Sequence, residues 1–297
     1  MKKQLIYWYR KYTPKKIQEI LINKEPFWFK LYRHKKMAKT FNAYEEGNRE
    51  HYEIITLIEK TSIKERFYVD LGASNGVSSS STFLFAKNQN WGGLSVEFDE
   101  EKFLIMKNIY KDFNKAYLSK TKITPNNIKS ILEENQVPKN FTFLNLDIDS
   151  YDLFIIEEIL KNKFKPYIIS MEINEKIPPP IYFTVLYDEN HFWKGDHFFG
   201  CSIVAADSVL KEYGYKLYKL QYNNAIFLSE DYPGEVGGLT PSLAYDLGYR
   251  NKDDRKKRFS YNKDVDVLLK MNPQECIDFI NNFFSEYKDM YDLSIND

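Results

Sequence analysis

Between residues 66 and 230, short apolar runs alternate with helical stretches five times, and two further apolar runs then follow one another directly. Few architectures accept such a chain. A strand that is apolar throughout must be covered on both faces, which calls for parallel neighbours joined by crossover helices. The pattern predicts strands at 67–71, 93–98, 115–118, 141–146, 167–173, 215–220 and 224–228, with helices at 82–87, 100–110, 127–134, 151–161 and 202–213. The last two strands should close as a hairpin. The expected fold is α/β: a Rossmann-like, doubly wound, seven-stranded and mostly parallel sheet with helical additions at both ends.

The additions differ in composition from the middle. We divide the chain into a basic, aromatic, helical segment at 1–64, a Rossmann-like domain at 65–230 and a helical extension at 231–297. The apolar stripe Ile54, Ile55, Leu57 and Ile58 marks a helix beside the sheet. Asn272 as N-cap, Pro273 as first helical residue and Glu275 three positions after the cap start another. Ile277, Ile280, Phe283, Phe284, Tyr287 and Tyr291 continue it at helical spacing, as a stripe docked on the main domain.

Lys+Arg and Asp+Glu balance at 42 each, so no field draws the whole molecule to nucleic acid or membrane. The balance fails locally. Residues 1–40 hold twelve Lys/Arg against Glu19 and Glu25, interleaved with Tyr7, Trp8, Tyr9, Tyr12, Phe27, Trp28, Phe29 and Tyr32. That segment packs on the core or meets an anionic membrane or glycan. Cys201 and Cys276 stand far apart and exclude a disulfide framework and thiolate-held zinc. The apolar run 4–9 is too short for a secretory signal, and no run reaches the length of a membrane span. The expectation is a cytoplasmic protein, with peripheral association at the inner membrane surface through residues 1–40.

At the end of the first strand stands Asp70-Leu71-Gly72-Ala73-Ser74-Asn75-Gly76, followed by Val77 and a run of four serines that reads as a helix start. Glycines there let the backbone turn tightly and approach a ligand, with helix N–H groups facing the crevice. Glu97 ends the second strand, where such folds grip the hydroxyls of a ribose. Neither a third glycine at dinucleotide spacing nor a P-loop lysine follows. In these features the chain resembles the class I S-adenosylmethionine-dependent methyltransferases over roughly residues 50–230. The resemblance implies S-adenosylmethionine as cofactor, with Asp70, Gly72, Ala73, Ser74, Asn75 and Gly76 around it, Gly72 to Gly76 bordering the methionine moiety and Glu97 on the ribose.

The fourth strand ends in Asn145-Leu146-Asp147-Ile148-Asp149-Ser150-Tyr151-Asp152, and the fifth in Met171-Glu172-Ile173-Asn174. Two carboxylates sharing a cleft repel unless a cation or a shared proton intervenes. Asp, Glu and Asn oxygens are the hard ligands of Mg²⁺. The Leu-Asp-x-Asp-x-Tyr pattern is similar to that of macrocin-type sugar O-methyltransferases, and the wider sequence to FkbM-type methyltransferases linked to surface-glycan synthesis. That resemblance implies Asp147 at the cofactor and as metal ligand, Asp149 as general base, Glu172 as second ligand, and Asn174 beside it. Met171 departs from the adjacent acids usual on that strand. Without a metal, Asp149 or a histidine of the 188–200 segment, His191 or His197, must take the proton.

That segment, with Phe192, Trp193, Phe198 and Phe199, and the Pro178-Pro179-Pro180 run before it form a long loop where specificity is built; its aromatic faces suit sugar rings. The proline run follows the fifth strand rather than the fourth, so the flipped-base motif of nucleic-acid methyltransferases is absent and no sequence-specific nucleic acid is expected. The expected function is O-methylation of a sugar, glycan or glycolipid acceptor. A non-catalytic scaffold or glycan-binding subunit on the same fold is the alternative.

Overall fold

In the computed structural model the described residues are 25–42, 49–78, 80–235 and 237–296. The basic residues from Lys2 to Lys24, the aromatic run from Tyr7 to Tyr12 and Ser79 of the serine run lie outside them.

The elements follow the chain as α1 (Phe27–Thr40), α2 (Arg49–Glu59), β1 (Phe67–Leu71), α3 (Phe83–Lys87), β2 (Gly92–Val96), α4 (Glu100–Tyr110), β3 (Ala116–Ser119), α5 (Ile128–Glu134), β4 (Phe143–Leu146) and α6 (Asp152–Lys161). Then come β5 (Ile168–Glu172), β6 (Ile181–Val185), α7 (Ile203–Glu212), β7 (Tyr215–Gln221), β8 (Asn224–Ser229), α8 (Pro241–Tyr245), α9 (Arg255–Arg258), α10 (Pro273–Phe283) and β9 (Tyr291–Ile295).

Seven strands form one sheet in the order β3-β2-β1-β4-β5-β8-β7. The first five are parallel, and β8 runs antiparallel to both β5 and β7. This is the Rossmann-like sheet the alternation predicts. Every residue of β1 is buried, because helices cover both faces. One face packs Ile128, Leu132, Ile155 and Ile159 of α5 and α6 against Val69 and Leu144. The other packs Ile54, Leu57 and Ile58 of α2 with Phe83 and Met106 against Tyr68 and Phe143. The chain reverses at β1 between β2 and β4, so the crevice for a ligand opens at the carboxyl ends of these strands.

Away from the site, two features depart from the sequence reading. The 177–200 segment is not all loop, since β6 lies within it and pairs antiparallel with β9, Ile181 opposite Ile295 and Val185 opposite Tyr291. The C-terminal stripe is therefore α-helical only to Phe283, Tyr287 falls in a short 3₁₀ turn at Ser285–Tyr287, and Tyr291 belongs to a strand. Ile181, Phe183 and Val185 gain their cover from Phe198, Leu268, Ile280 and Phe284, a third core under the C-terminal extension. The capping box of Asn272 and Glu275 is present as expected.

Candidate functional site

The turn after β1 is built by hydrogen bonds that close back on the sheet. The Gly72 and Ala73 amides donate to the Val96 carbonyl at 3.1 and 2.9 Å, which ties the turn to the end of β2. Gly72 has φ +88°, and a Cβ there would lie 1.7 Å from the Asp147 carbonyl oxygen. Glycine is required because two backbones meet. Ser74 takes φ 52°, and its amide donates to Glu97 Oε2 at 2.7 Å, while Glu97 Oε1 accepts from the Asp99 amide at 2.7 Å. Glu97 thus pins the glycine turn to the second strand, leaving its remaining lone pairs at the cavity it lines.

The serine run does not begin a helix. Ser80 Oγ accepts from the amides of Thr82 and Phe83 at 3.2 and 3.0 Å, so the side chain replaces a helical turn and α3 starts only at Phe83. Asn75 behaves alike, its Oδ1 accepting from Val77 and Ser78. Gly76 takes φ +75°, and its carbonyl accepts the Tyr110 hydroxyl at 2.7 Å. Asp70 is held from beneath, with Thr82 Oγ1 donating at 2.5 Å and Asn145 Nδ2 at 2.9 Å. Burial pushes its pKa up, and these two bonds oppose that rise.

Beyond this turn lies a cavity of about 570 Å³, walled by the segments after β1, β2, β3 and β4 and roofed by residues 191–193. Asp70, Gly72, Ala73, Ser74, Glu97, Asp147, Asp149 and His191 of the expected site line it. Asn75, Gly76, Glu172, Asn174 and His197 stand outside its wall.

Asp147 and Asp149 do not share a side by strand periodicity. β4 ends at Leu146, and Asp149 takes φ 54°. That conformation is held by Asp152, whose two carboxylate oxygens accept from the Ile148 and Ser150 amides, both at 2.9 Å. Burial raises the Asp152 pKa to about 6 despite those bonds. Its role was invisible in the motif, although an acid in the first turn of a helix, three residues after a candidate base, is a signal for such a clamp. If Asp149 is the general base expected from the sequence, Asp152→Ala should lower turnover by about 10²-fold, the cost of a small misplacement of a reacting group, with cofactor affinity nearly unchanged. An unaltered rate would remove the clamp from the mechanism.

Asp147, Asp149 and Glu172 bring one carboxylate oxygen each within 4.8 Å of one another. Burial raises the pKa of Asp149, against a hydrogen bond with Glu172 and the ammonium groups of Lys102 and Lys176. Glu172 is raised well above the ordinary range by burial and by the charges of Asp147, Asp149, Asp152 and Glu175. A carboxyl–carboxyl hydrogen bond needs one proton, which the Asp149–Glu172 pair shares. Asn223 Nδ2 donates to Glu172 Oε1 at 2.6 Å and fixes its orientation. Asn174 turns its amide to the carbonyls of His197 and Phe199 at 2.9 and 3.0 Å, so it anchors the 197–199 backbone.

The two histidines part company. His191 is buried at the cavity roof, edge-on to Phe198, with Nε2 unpartnered and its pKa lowered by burial. His197 points to the C-terminal extension, with Nε2 3.2 Å from Asp264 Oδ1 and its ring 5.7 Å from that of Phe283. Half-exposed Phe98, Phe192 and Trp193 form the lip, and Lys122 Nζ lies 3.9 Å from the Phe192 ring centroid.

No family model matches the chain, and no curated protein does either. Among solved structures it is similar to a SAM-dependent methyltransferase from Aquifex aeolicus at 12% identity and TM-score 0.35, covering 65% of this chain and 95% of that one. It is also similar to a putative O-methyltransferase from Klebsiella pneumoniae at 11% identity and TM-score 0.41, covering 72% and 96%. A third is the CurJ carbon methyltransferase, at 9% identity and TM-score 0.40, of which this chain spans 55%.

Proposed function

We propose that the chain is an S-adenosylmethionine-dependent methyltransferase acting on a hydroxyl of a sugar, glycan or glycolipid intermediate. The observation that carries this reading is the convergence on one cavity of the glycine turn, the acid that pins it and the paired acids that follow β4. The cavity volume falls within the roughly 300–1,000 Å³ usual for small-ligand sites. Glu97, whose two oxygens each accept one backbone amide and can accept more, would take the two ribose hydroxyls, and Gly72–Ser74 line the same cavity. The residues present fit the cofactor.

They also fit a divalent cation of the Mg²⁺ kind, because three carboxylates clustered within 4.8 Å, Asp149 and Glu172 with raised pKa values, are relieved by positive charge. Asp147 and Glu172, with Asp149 alongside, would hold it, and a bound cation lowers the pKa of an acceptor hydroxyl. The chain's own groups perform the rest. Asp149 takes the hydroxyl proton, and Asp152 keeps the base aimed. Phe192 and Trp193, half-exposed at the lip, would present apolar faces to an acceptor ring.

Isothermal titration with S-adenosylhomocysteine tests the reading directly. Saturable binding supports it, and no heat under varied conditions would favour the scaffold alternative. Glu97→Ala should weaken that binding by about 1.5–3 kcal/mol, the worth of charged hydrogen bonds, since it removes the ribose acceptors and unpins Ser74 at once. A folded variant with undiminished affinity would move the cofactor elsewhere.

A further inference from the structure

We infer that Arg258 and Lys252, beside the turn that joins β7 to β8, form a subsite for a phosphate ester, and that the acceptor presented to the acids is a phosphorylated sugar, free or lipid-linked. The subsite is read from charge and geometry, and its service to the acceptor rests on the proposed function.

From Arg250 to Lys263 the chain carries seven Lys/Arg against Asp253 and Asp254. Arg250 meets Asp246 at 2.7 Å and Arg255 meets Asp266, while both oxygens of Asp254 accept the Tyr222 hydroxyl, at 2.7 and 2.8 Å. Among the described residues, the head groups of Lys252 and Arg258 have neither an ion pair nor a hydrogen-bond acceptor.

Those two head groups gather on one ring. Arg258 Cζ lies 4.3 Å and Lys252 Nζ 5.6 Å from the Tyr222 ring centroid. Tyr222 is only 4% exposed whereas Arg258 is exposed, so the ring supports the cations and leaves their N–H donors for a ligand. Like charges held on one ring repel, and an anion bound by both relieves the repulsion. A phosphate ester matches the donors. The guanidinium fork takes two phosphate oxygens and the ammonium adds a point charge, and the group brings up to two negative charges where a sugar carboxylate brings one.

The turn is also fastened to the acids. Tyr222 takes φ 60°, and the next residue, Asn223, donates to Glu172 Oε1 at 2.6 Å and accepts from the Ile173 amide at 2.7 Å. On the other side, the Phe259 ring lies 5.8 Å from that of Tyr222 and 5.9 Å from that of Tyr261, which is 59% exposed. Burial raises the Tyr261 pKa, and the charges of Glu175, Glu172 and Asp149 raise it further, so its hydroxyl stands in the field of the same acids. An acceptor whose hydroxyl lies at Asp149 thus has the cations on the Glu172 side of the cluster.

Isothermal titration of the full chain with inorganic pyrophosphate, at low and high salt, tests the subsite. Saturable binding that weakens with salt is expected. Lys252→Gln with Arg258→Gln should weaken it about ten-fold or more, from the loss of two exposed, charged hydrogen-bonding groups. Lys256→Gln with Lys257→Gln removes the same charge from neighbouring exposed side chains and should weaken it about two-fold at most. Equal losses from the two pairs would reveal a diffuse field and overturn the inference, as would an absence of binding. Displacement by uridine diphosphate points to a soluble sugar ester, displacement by vesicles containing phosphatidic acid to a lipid-linked one, and displacement by neither overturns the assignment. Both variants should keep the parent's melting curve and its affinity for S-adenosylhomocysteine. A parent that binds S-adenosylhomocysteine but not pyrophosphate sinks this inference alone, and one that binds only pyrophosphate sinks the proposed function while the anion subsite stands.

Discussion

Asp149→Asn is expected to slow methyl transfer by about 10²–10⁴-fold, the usual contribution of a positioned general base, while S-adenosylhomocysteine affinity stays nearly constant. The amide keeps the volume of the acid and one acceptor oxygen but cannot take the acceptor's proton. Asp149 suits the task because burial raises its pKa toward the working range, whereas the Glu172 hydrogen bond and the Lys102 and Lys176 charges keep it from rising further. The three acids then separate in their responses. If the cluster works through a cation, Asp147→Asn and Glu172→Gln should each lose activity that excess Mg²⁺ partly restores, and a chelator should silence the parent. If Asp149 acts alone, the chelator changes nothing. Turnover that survives all three substitutions would pass the proton to His191, which lines the same cavity.

Gly72→Ala is expected to cost about 2–5 kcal/mol of stability and to abolish cofactor binding in whatever fraction still folds. A side chain at φ +88° is strained by about 1–2 kcal/mol, and the added Cβ would sit 1.7 Å from the Asp147 carbonyl oxygen. The obstacle is backbone at the end of a central strand and cannot rotate aside, so β4 must move away from β1 at a further cost of about 1–3 kcal/mol. That movement displaces Asp147 and the loop that holds Asp149. Gly76→Ala makes the control, since its Cβ would meet the Met106 Cγ at 2.8 Å and the Tyr110 ring at 2.9 Å, and Met106 is a side chain that can yield. Denaturant unfolding should rank the two variants in that order. A Gly72→Ala protein as stable as its parent, or less damaged than Gly76→Ala, would contradict the close approach of the two strands.

Much of the fold was legible because its determinants are local. A fully apolar strand such as 67–71 records burial on both faces, and the helices between strands record their own period. The glycine turn and Glu97 were legible too, each defined by its place at a strand end. β6 and β9 were not, since they pair residues more than a hundred positions apart. The helical stripe from Ile277 to Tyr291 cannot show where helix gives way to strand when the deciding partner, Val185, lies so distant in sequence.

The same division runs through the site. The sequence alone determined that Asp147, Asp149 and Glu172 would come to one edge of the sheet, because strand order and strand ends follow from the alternation. Only the tertiary structure decided that Asp149 reaches the cavity through a left-handed turn clamped by Asp152 rather than by strand period. It also decided that His191 faces the cavity while His197, six residues on, faces Asp264, and that Asn174 holds backbone. Periodicity reports which way a regular strand or helix presents its side chains, but beyond the strand ends the chain is irregular. There, direction is set by long-range hydrogen bonds and packing that no local pattern encodes.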